Sequence, residues 1–211
     1  MSSSTLGHAR MPASDRRAQL LDAALTLFSL RGYDRTTTKE IAATAGVTEA
    51  IVFRHFPSKQ ALYQAVLDQH SDQPRFRSWM DCIREHIDRN NDEGLMRAIA
   101  EAVLEPYRCD PRMQRVMLFA ALEGQEIALN HFRSVTTPIY EFLREYILRR
   151  QREGAIIPIH PAAILTAIAG MAQYHAHSTR LFGYESEFSD EQAVENFTRI
   201  LMGGITPGVA R

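Results

Sequence analysis

Residues 37–59, TTKEIAATAGVTEAIVFRHFPSK, contain the signals of two short helices on either side of Gly46. Thr37 and Glu40 have the spacing of a capping box, which predicts the start of the first helix. Gly46 supplies a tight turn, because glycine accepts a left-handed backbone without steric cost. The second helix is predicted to begin at Thr48 and to end before Pro57, since the residue before a proline disfavours the helical conformation. This pattern predicts a helix-turn-helix.

The second of these helices divides its residues between two faces. Val52 and Phe56 lie one turn apart and are predicted to be buried, which leaves the opposite face outward. A helix of barely two turns buries little by itself, so its outer face is the informative one. Such a face suits the major groove of DNA, with the N-terminal residues nearest the base edges. The predicted DNA-contacting residues are Thr37, Thr38, Lys39, Thr48, Glu49, Ala50, Ile51, Phe53, Arg54, His55 and Lys59.

The side chains of this face predict different contacts. Glu49 can accept a hydrogen bond from a cytosine amine, and Ala50 or Ile51 can contact a thymine methyl group. Arg54 can reach guanine or phosphate. An ordinary helical corner is the alternative interpretation, and His55 in particular could simply cap or pack. The side chains suited to phosphate oxygens are Thr38, Thr48, His55 and Lys59, and the amides at helix N-termini add to them.

Helical periodicity and helix-ending residues continue along the whole chain, so the predicted class is all-α with about nine helices. The first helix is predicted from near Ser14 to Gly32, and one long helix from Ser58 to about Ile87. Residues 1–12 are predicted to be a disordered arm, 13–60 a three-helix DNA-binding domain and 61–211 a second helical domain. The later helices are predicted to begin at Asp92, Asp110-Pro111, Thr137-Pro138, His160-Pro161 and Ser189.

Charge and composition exclude several classes of protein. The net charge is −1, but residues 1–60 hold eight basic and five acidic side chains, a local excess that suits contact with a polyanion. No apolar stretch has the length of a membrane span and no secretory signal is present, so we expect a cytoplasmic protein without membrane contact. Cys82 and Cys109 have no disulfide or metal-site spacing, and a redox switch is the less favoured alternative to two reduced thiols.

Catalytic and metal-binding patterns are absent from the sequence. His175 and His177 are two residues apart, so they diverge on a helix and cannot chelate one metal ion together. We find no nucleophile motif and no phosphate-binding loop. The sequence therefore predicts no catalytic residue, no metal, no cofactor and no enzymatic activity.

A set of short elements follows in a fixed order along residues 14–63. They are Gly32-Tyr33, the threonines 36–38, Ile41-Ala42, Ala45-Gly46-Val47 and the run FRHFPSK at 53–59. Through these elements, residues about 14–63 resemble the DNA-binding domain of the TetR (tetracycline repressor) family. Phe53 stands where the family usually has tyrosine, which removes a hydroxyl suited to a phosphate. The resemblance covers about a quarter of the chain.

The resemblance implies that residues 61–211 form a ligand-binding and dimerisation domain. In the family the last two helices, here about 160–182 and 189–203, pair with their copies in a four-helix bundle. The 160–182 helix is apolar on most faces and rich in alanine, which independently favours burial against a partner helix. Burial within one subunit is the alternative. A two-fold dimer would place two recognition helices about one turn of double-stranded operator DNA apart, or a multiple of it.

A small-molecule effector is predicted to bind between the long Ser58 helix and the helices from 92 to 153. A hydrophobic or aromatic effector would suit an apolar lining with a few polar groups, although a plain helical core has the same composition. We therefore expect a repressor that a small molecule releases from a palindromic operator. The alternatives are a helical small-molecule-binding protein or enzyme with an incidental helix-turn-helix, and a nucleoid-type DNA binder without a ligand. The predicted lining residues are Phe76, Trp79, Met80, Ile83, His86, Met96, Met113, Met117, Glu123, Gln125, His131, Phe132, Tyr140 and His175.

Overall fold

The computed structural model describes residues 12–71 and 74–207 of the chain. Within these ranges the fold is all-α, as predicted, with ten α-helices and no strand. A single π-helical turn, His177–Leu181, continues from the end of α9. The helices are α1 Ala13–Arg31, α2 Thr38–Thr44, α3 Glu49–His55, α4 Lys59–Ser71, α5 Pro74–Asp88, α6 Asp92–Cys109, α7 Arg112–Glu123, α8 Glu126–Arg152, α9 Pro161–Ala176 and α10 Asp190–Ile205. The predicted disordered arm falls almost wholly outside the described residues.

Local capping signals set most of the helix boundaries. Thr37 and Glu40 form the predicted capping box at α2, and α10 begins after the predicted Ser189, which forms a second box with Gln192. The ring of His160 accepts a hydrogen bond from the Ala162 amide at the start of α9. These predictions of helix starts are confirmed, because a cap satisfies amides that the first turn leaves without a partner.

The predicted single helix from Ser58 to Ile87 was wrong. α4 ends at Ser71 and α5 begins at Pro74, so this region contributes two helices and raises the number found in the described ranges to ten. A proline has no amide N–H to donate within a continuing helix, whereas it suits the first position of a new one.

A second prediction also failed, because no helix begins at Thr137-Pro138. α8 runs from Glu126 to Arg152 with Pro138 in its interior. The turn before the proline gains hydrogen bonds from side chains: the hydroxyl of Thr136 donates to the Phe132 carbonyl, and that of Ser134 to the His131 carbonyl. Hydroxyls of this kind bond to helical carbonyls and accommodate local distortion of the helix. The apolar helix predicted to reach residue 182 likewise ends as an α-helix at Ala176.

The chain divides into two compact units. The first falls within Met1–His70 and Arg115–Leu129, and the second within Ser71–Gln114 and Asn130–Arg211. In the first unit the apolar faces of α1 to α4 form the core. Three aromatic rings lie within it, and the ring centroid of Tyr63 is 5.0 Å from that of Phe28 and 4.7 Å from that of Tyr33.

The core of the second unit is built on α9. One face of this helix, including Ile164, Leu165 and Ile168, is buried against α6 and α10. α5 packs on α6, and α8 contributes Leu143 and Ile147 to the same apolar cluster. In the part of the chain that the structure describes, no helix is both long and apolar enough to cross a bilayer.

Candidate nucleic-acid interface

The corner between α2 and α3 is fixed from its inner side. Gly46 has a φ of +64°, the left-handed conformation that its position in the turn requires. Ile41 on α2 and Val52 on α3 are buried, and Phe56 at the end of α3 is buried as well. The predicted inner face of α3 is therefore confirmed. With these apolar groups inside, the opposite face of α3 points away from the core.

The outer side of α3 carries mostly exposed side chains. Thr48, Ala50 and Arg54 are exposed, and Phe53 is 46% exposed although it is a large aromatic residue. Nearly half of this residue is open to solvent, on a helix of only seven residues. The remaining predicted contacts on this helix, Glu49, Ile51 and His55, are half-buried.

The beginning of α2 lies beside the beginning of α3. The hydroxyl of Thr38 donates a 2.5 Å hydrogen bond to a carboxylate oxygen of Glu49. Thr37 and Lys39, on either side, are exposed. The carboxylate of Glu40 accepts from the Thr37 amide, and this bond is the largest of the effects that lower the pKa of Glu40.

Lys59, predicted as a phosphate contact, lies at the first position of α4. Its ammonium nitrogen is 4.1 Å from the ring centroid of Tyr33, a cation–π contact that holds the side chain in place. Burial lowers the pKa of Lys59, while the negative charges of Asp34, Glu123 and Glu40 oppose this shift. The ammonium therefore has a fixed position in the half-buried region where α4 begins.

α1 supports the corner from behind. The amide of Gln19 donates to the carbonyl oxygen of Ala45 at 2.9 Å, immediately before the Gly46 turn. The guanidinium of Arg17 lies 4.8 Å from the ring centroid of Phe56. The two contacts restrain the segment that contains α3 at its two ends, Ala45 and Phe56. The position of α3 is therefore determined by side chains of α1 as well as by the core.

Residues 115–129 hold the end of α1 in the same unit. A carboxylate oxygen of Glu123 accepts from the Tyr33 amide at 3.0 Å, and Arg115 donates to the Ser29 carbonyl at 2.9 Å. The Gln125 amide donates to Asp34. Sequence reasoning placed Glu123 and Gln125 in the effector pocket and did not anticipate these contacts, because no local signal joins residues about ninety positions apart.

The predicted pocket residues occupy several different environments. In the second unit, Ile83 and Met96 are fully buried in the apolar core, and the indole nitrogen of Trp79 donates to the Ala98 carbonyl. Met117 and Glu123 belong to the first unit instead. The side chain of Phe76 lies outside the described residues. The remaining residues differ in exposure. Phe132 is exposed, and two residues are buried, Met113 and His175. The half-buried ones are Met80, His86, His131 and Tyr140.

One of these residues, His175, lines a cavity of about 410 Å³ in the second unit. Its imidazole lies 3.0 Å from one carboxylate oxygen of Asp190, and the other oxygen accepts a hydrogen bond from Arg180. Burial alone would raise the pKa of Asp190, but the hydrogen bonds from Arg180 and His175 outweigh it and lower the pKa. The cavity is lined by Arg108, His175, Thr179, Arg180, Tyr184, Ser186, Phe188, Ser189, Asp190 and Glu191.

An outward recognition helix behind a glycine turn, at the N-terminal end of an all-helical chain, defines a DNA-binding transcriptional regulator of the helix-turn-helix class. Residues 20–66 match the sequence profile of "Bacterial regulatory proteins, tetR family". The N-terminal part of the chain is therefore similar to members of this family.

Similar proteins agree with this assignment over nearly the whole chain. The HTH-type transcriptional regulator RutR of Escherichia coli strain K12 is 27% identical over 212 residues, which cover 96% of each protein. The fold matches that of NalD, a repressor of a multidrug efflux pump in Pseudomonas aeruginosa, with a TM-score of 0.69, 18% identity and coverage of 92% of this chain and 97% of that one. AibR, in complex with isovaleryl coenzyme A and operator DNA, gives a TM-score of 0.65 at 20% identity, with coverage of 89% and 98%.

Proposed function

We propose that this regulator is a repressor that binds a palindromic operator as a homodimer and releases it when a small molecule binds the domain formed by residues 61–211. The outward face of α3 is the observation that carries the proposal, since Thr48, Ala50, Phe53 and Arg54 are exposed there. NalD is a repressor and AibR was crystallised with both operator DNA and an acyl coenzyme A, which supports both halves of the proposal.

The DNA contacts divide by chemistry. Arg54 and the side chains at the start of α3 contact base edges, because the N-terminal part of a recognition helix lies deepest in the major groove. The Thr37 hydroxyl already donates to the Glu40 carboxylate, whereas Lys39, His55 and Lys59 contact phosphates. Such contacts fix the position of the protein on the duplex without selecting sequence. Phe53 has no hydroxyl, so it packs on the sugar-phosphate backbone rather than donating to it.

The homodimer forms through α9 and α10. The face of α9 turned away from the core carries Ala163, Thr166 and Gly170, all exposed, and small side chains let a second helix approach closely. On α10, the large aliphatic side chain of Ile200 is 64% exposed and so is available for contact with another chain. These features support a four-helix contact between two copies.

The effector acts by favouring the conformation that does not fit DNA. It does so only if it binds that conformation more tightly than the DNA-bound one. The chain passes between the two units after His70, Gln114 and Leu129, so α4 and the segment 115–129 are covalent routes by which the second unit influences the first. A hydrophobic or aromatic effector remains the favoured class, with the residues around Trp79 as the candidate lining.

DNA binding is tested by fluorescence anisotropy with the duplex upstream of the protein's own gene. Arg54→Ala should lower affinity by about 1–3 kcal/mol. Arg84→Ala, which removes an exposed charge from α5, is the control and should leave affinity unchanged. If the wild-type protein ignores this duplex at low salt and also selects no sequence from a random library, the DNA-binding proposal is wrong.

The dimer is tested by sedimentation equilibrium. Ile200→Glu should shift the protein towards monomer, because it places a charge on the proposed contact. Leu122→Glu changes an exposed leucine of α7 in the same way and should leave the dimer intact. Equal behaviour of the two variants would contradict a dimer through α10.

Effector binding can be followed through Trp79, the single tryptophan of the chain. A panel of small aromatic and aliphatic compounds is titrated into the protein, and compounds that change the indole fluorescence are added to the protein–DNA complex. We expect at least one of them to lower operator affinity. Trp79→Phe is the control that removes the fluorescence signal. Compounds that bind tightly but leave DNA affinity unchanged would contradict release by an effector.

A further inference from the structure

The hydrogen bond between Thr38 and Glu49 joins the first residue of α2 to the first residue of α3. Thr38 donates to one carboxylate oxygen of Glu49. Among the described residues, no other group donates to this carboxylate, so its second oxygen is an open acceptor. Glu49 is only half-buried, and this oxygen belongs to the end of α3 that a major groove would meet.

A carboxylate at this position has few possible partners on DNA. It accepts hydrogen bonds and donates none, and it carries the same charge as phosphate, so it cannot contact the backbone directly. Its position in the first turn of α3 is favourable within the protein, because negative charge is stabilised at a helix N-terminus. The charge of Glu49 is therefore stabilised within the protein, and on DNA the carboxylate can pair only with an amino group of a base.

The bases differ in what they offer in the major groove. Guanine presents two acceptors there, and thymine an acceptor with a methyl group, so both repel or exclude a carboxylate. Adenine has an amine beside the N7 acceptor, which would oppose the second oxygen. Cytosine presents only its N4 amine. The chemistry of Glu49 thus selects cytosine.

We propose that Glu49 selects cytosine at one position of each operator half-site, and that Thr38 is a positioning residue that holds the carboxylate in place. A threonine hydroxyl has a single hydrogen, so while it donates to Glu49 it cannot donate to a phosphate. This revises the expectation that Thr38 contacts the DNA backbone. The inference rests on the proposed DNA-binding function.

The first experiment selects duplexes from a randomised library with the full-length wild-type protein. The preferred duplex and its single-base-pair variants are then titrated by anisotropy. We expect one symmetry-related position at which replacing cytosine weakens binding about 5- to 150-fold, equivalent to about 1–3 kcal/mol. Glu49→Ala, which removes the acceptor, should flatten the preference at this position only, and should strengthen binding to an unrelated duplex because a negative charge is removed.

The second experiment separates positioning from a phosphate contact. Thr38→Val removes the hydroxyl at nearly constant volume, and Thr38→Ser restores it. The valine variant should lose part of the cytosine preference with an unchanged dependence of affinity on salt, and the serine variant should recover it. A salt slope that falls by about one in the valine variant would assign Thr38 to a phosphate and overturn its positioning role.

The outcomes distinguish the two levels of the proposal. If the wild-type protein selects no sequence, the DNA-binding function itself is wrong. If it selects a sequence whose base preferences are all unchanged in Glu49→Ala, the function stands and the role of Glu49 is rejected. Thermal unfolding of each variant, followed by circular dichroism, shows that the protein measured is folded.

Discussion

The DNA-binding helices α1 to α4 and the second unit use buried polar side chains differently. In the former, the buried hydroxyls of Ser29 and Thr36 donate to carbonyls three and four residues before them. In the second unit, polar groups with little exposure join distant parts of the chain. Asp92 at the start of α6 pairs with Arg150 near the end of α8, and His175 on α9 pairs with Asp190 on α10.

This difference follows from what each part must do. Around α2 and α3, two helices of seven residues each, an apolar core and local caps hold the backbone. The charged side chains of Lys39 and Arg54 are exposed there, where a polyanion can meet them. The second unit places long helices against one another and fixes them with ion pairs between helices. Removing one partner of a largely buried ion pair in the second unit should therefore greatly lower the free energy of unfolding. Removing an exposed charge from either part of the molecule should lower it little.

The largest expected effect is that of Arg150→Met. The guanidinium of Arg150 contacts both carboxylate oxygens of Asp92 at 2.9–3.1 Å, and the two side chains are only 16% and 12% exposed. The substitution leaves the largely buried carboxylate with the Tyr146 hydroxyl but without its ion-pair partner, and breaking such a pair costs about 3–5 kcal/mol. Urea denaturation at neutral pH should show a loss in this range.

The matched control for this substitution is Arg84→Met. Arg84 pairs with Asp81 along the exposed side of α5, and pairs of this kind contribute at most about 1 kcal/mol. Neither substitution should change the ratio of specific to non-specific DNA affinity. A similar loss of stability in the two variants would contradict the contrast between buried and exposed ion pairs.

Helix starts were predictable from sequence because a cap is a local device. Thr37, Ser189 and His160 each bond to an amide within three residues, so the pattern is contained in the sequence itself. The interior proline of α8 and the contacts of residues 115–129 were not predictable in this way. Whether a long helix tolerates Pro138, or whether Glu123 contacts Tyr33, depends on packing between residues that are distant in the sequence.

The next effect in size is that of Gly32→Ala. Gly32 has φ +78° and ψ 177°, a conformation that is essentially restricted to glycine. An added Cβ would also lie 2.0 Å from a carboxylate oxygen of Glu123 and so would disturb its hydrogen bond to the Tyr33 amide. We expect a loss of about 1–3 kcal/mol in unfolding free energy.

Gly46→Ala provides the comparison for Gly32→Ala. Its backbone is also left-handed, but an added Cβ would meet no atom within 4 Å, so only the backbone strain of about 1 kcal/mol applies. In Glu123→Ala the conflicting carboxylate is absent, so adding Gly32→Ala to that variant should cost only the unfolding free energy that comes from backbone strain. If Gly46→Ala is the more destabilising of the two single variants, the contact with Glu123 is unimportant.

The two capping boxes allow the same change to be made in both regions. Thr37→Ala and Ser189→Ala each remove a hydroxyl that accepts from the amide three residues on, and each should cost about 1 kcal/mol of stability. DNA affinity should fall only in Thr37→Ala, because α2 positions the recognition helix. Anisotropy titrations of both proteins make the comparison, and a loss of affinity in Ser189→Ala would contradict it.

The outward face of α3 was predictable, whereas the effector pocket was not. Val52 and Phe56 follow the helical repeat, so their burial and the exposure of the opposite face could be inferred from spacing alone. Ile83 and Met96 also fit an apolar lining, but in the structure they are core residues. A pocket and a core share the same composition, and only the empty space between side chains distinguishes them.

The smallest expected effect concerns His177, in the second unit. The hydroxyl of Tyr107, whose pKa burial raises to about 12, contacts the Nε2 atom of His177 at 2.7 Å. Burial also lowers the pKa of His177 below its ordinary 6.5, so the folded protein favours the neutral ring, with Nε2 as acceptor. As pH falls through 6.5 the unfolded chain takes up the proton first, and stability declines until the lower pKa of the folded state is passed.

His177→Gln keeps an acceptor for Tyr107 but does not titrate. Thermal unfolding at several pH values between 8 and 5 should therefore show a smaller decline for the variant than for the wild type, with nearly equal midpoints at pH 8. Parallel curves would show that proton binding at His177 does not contribute to folding.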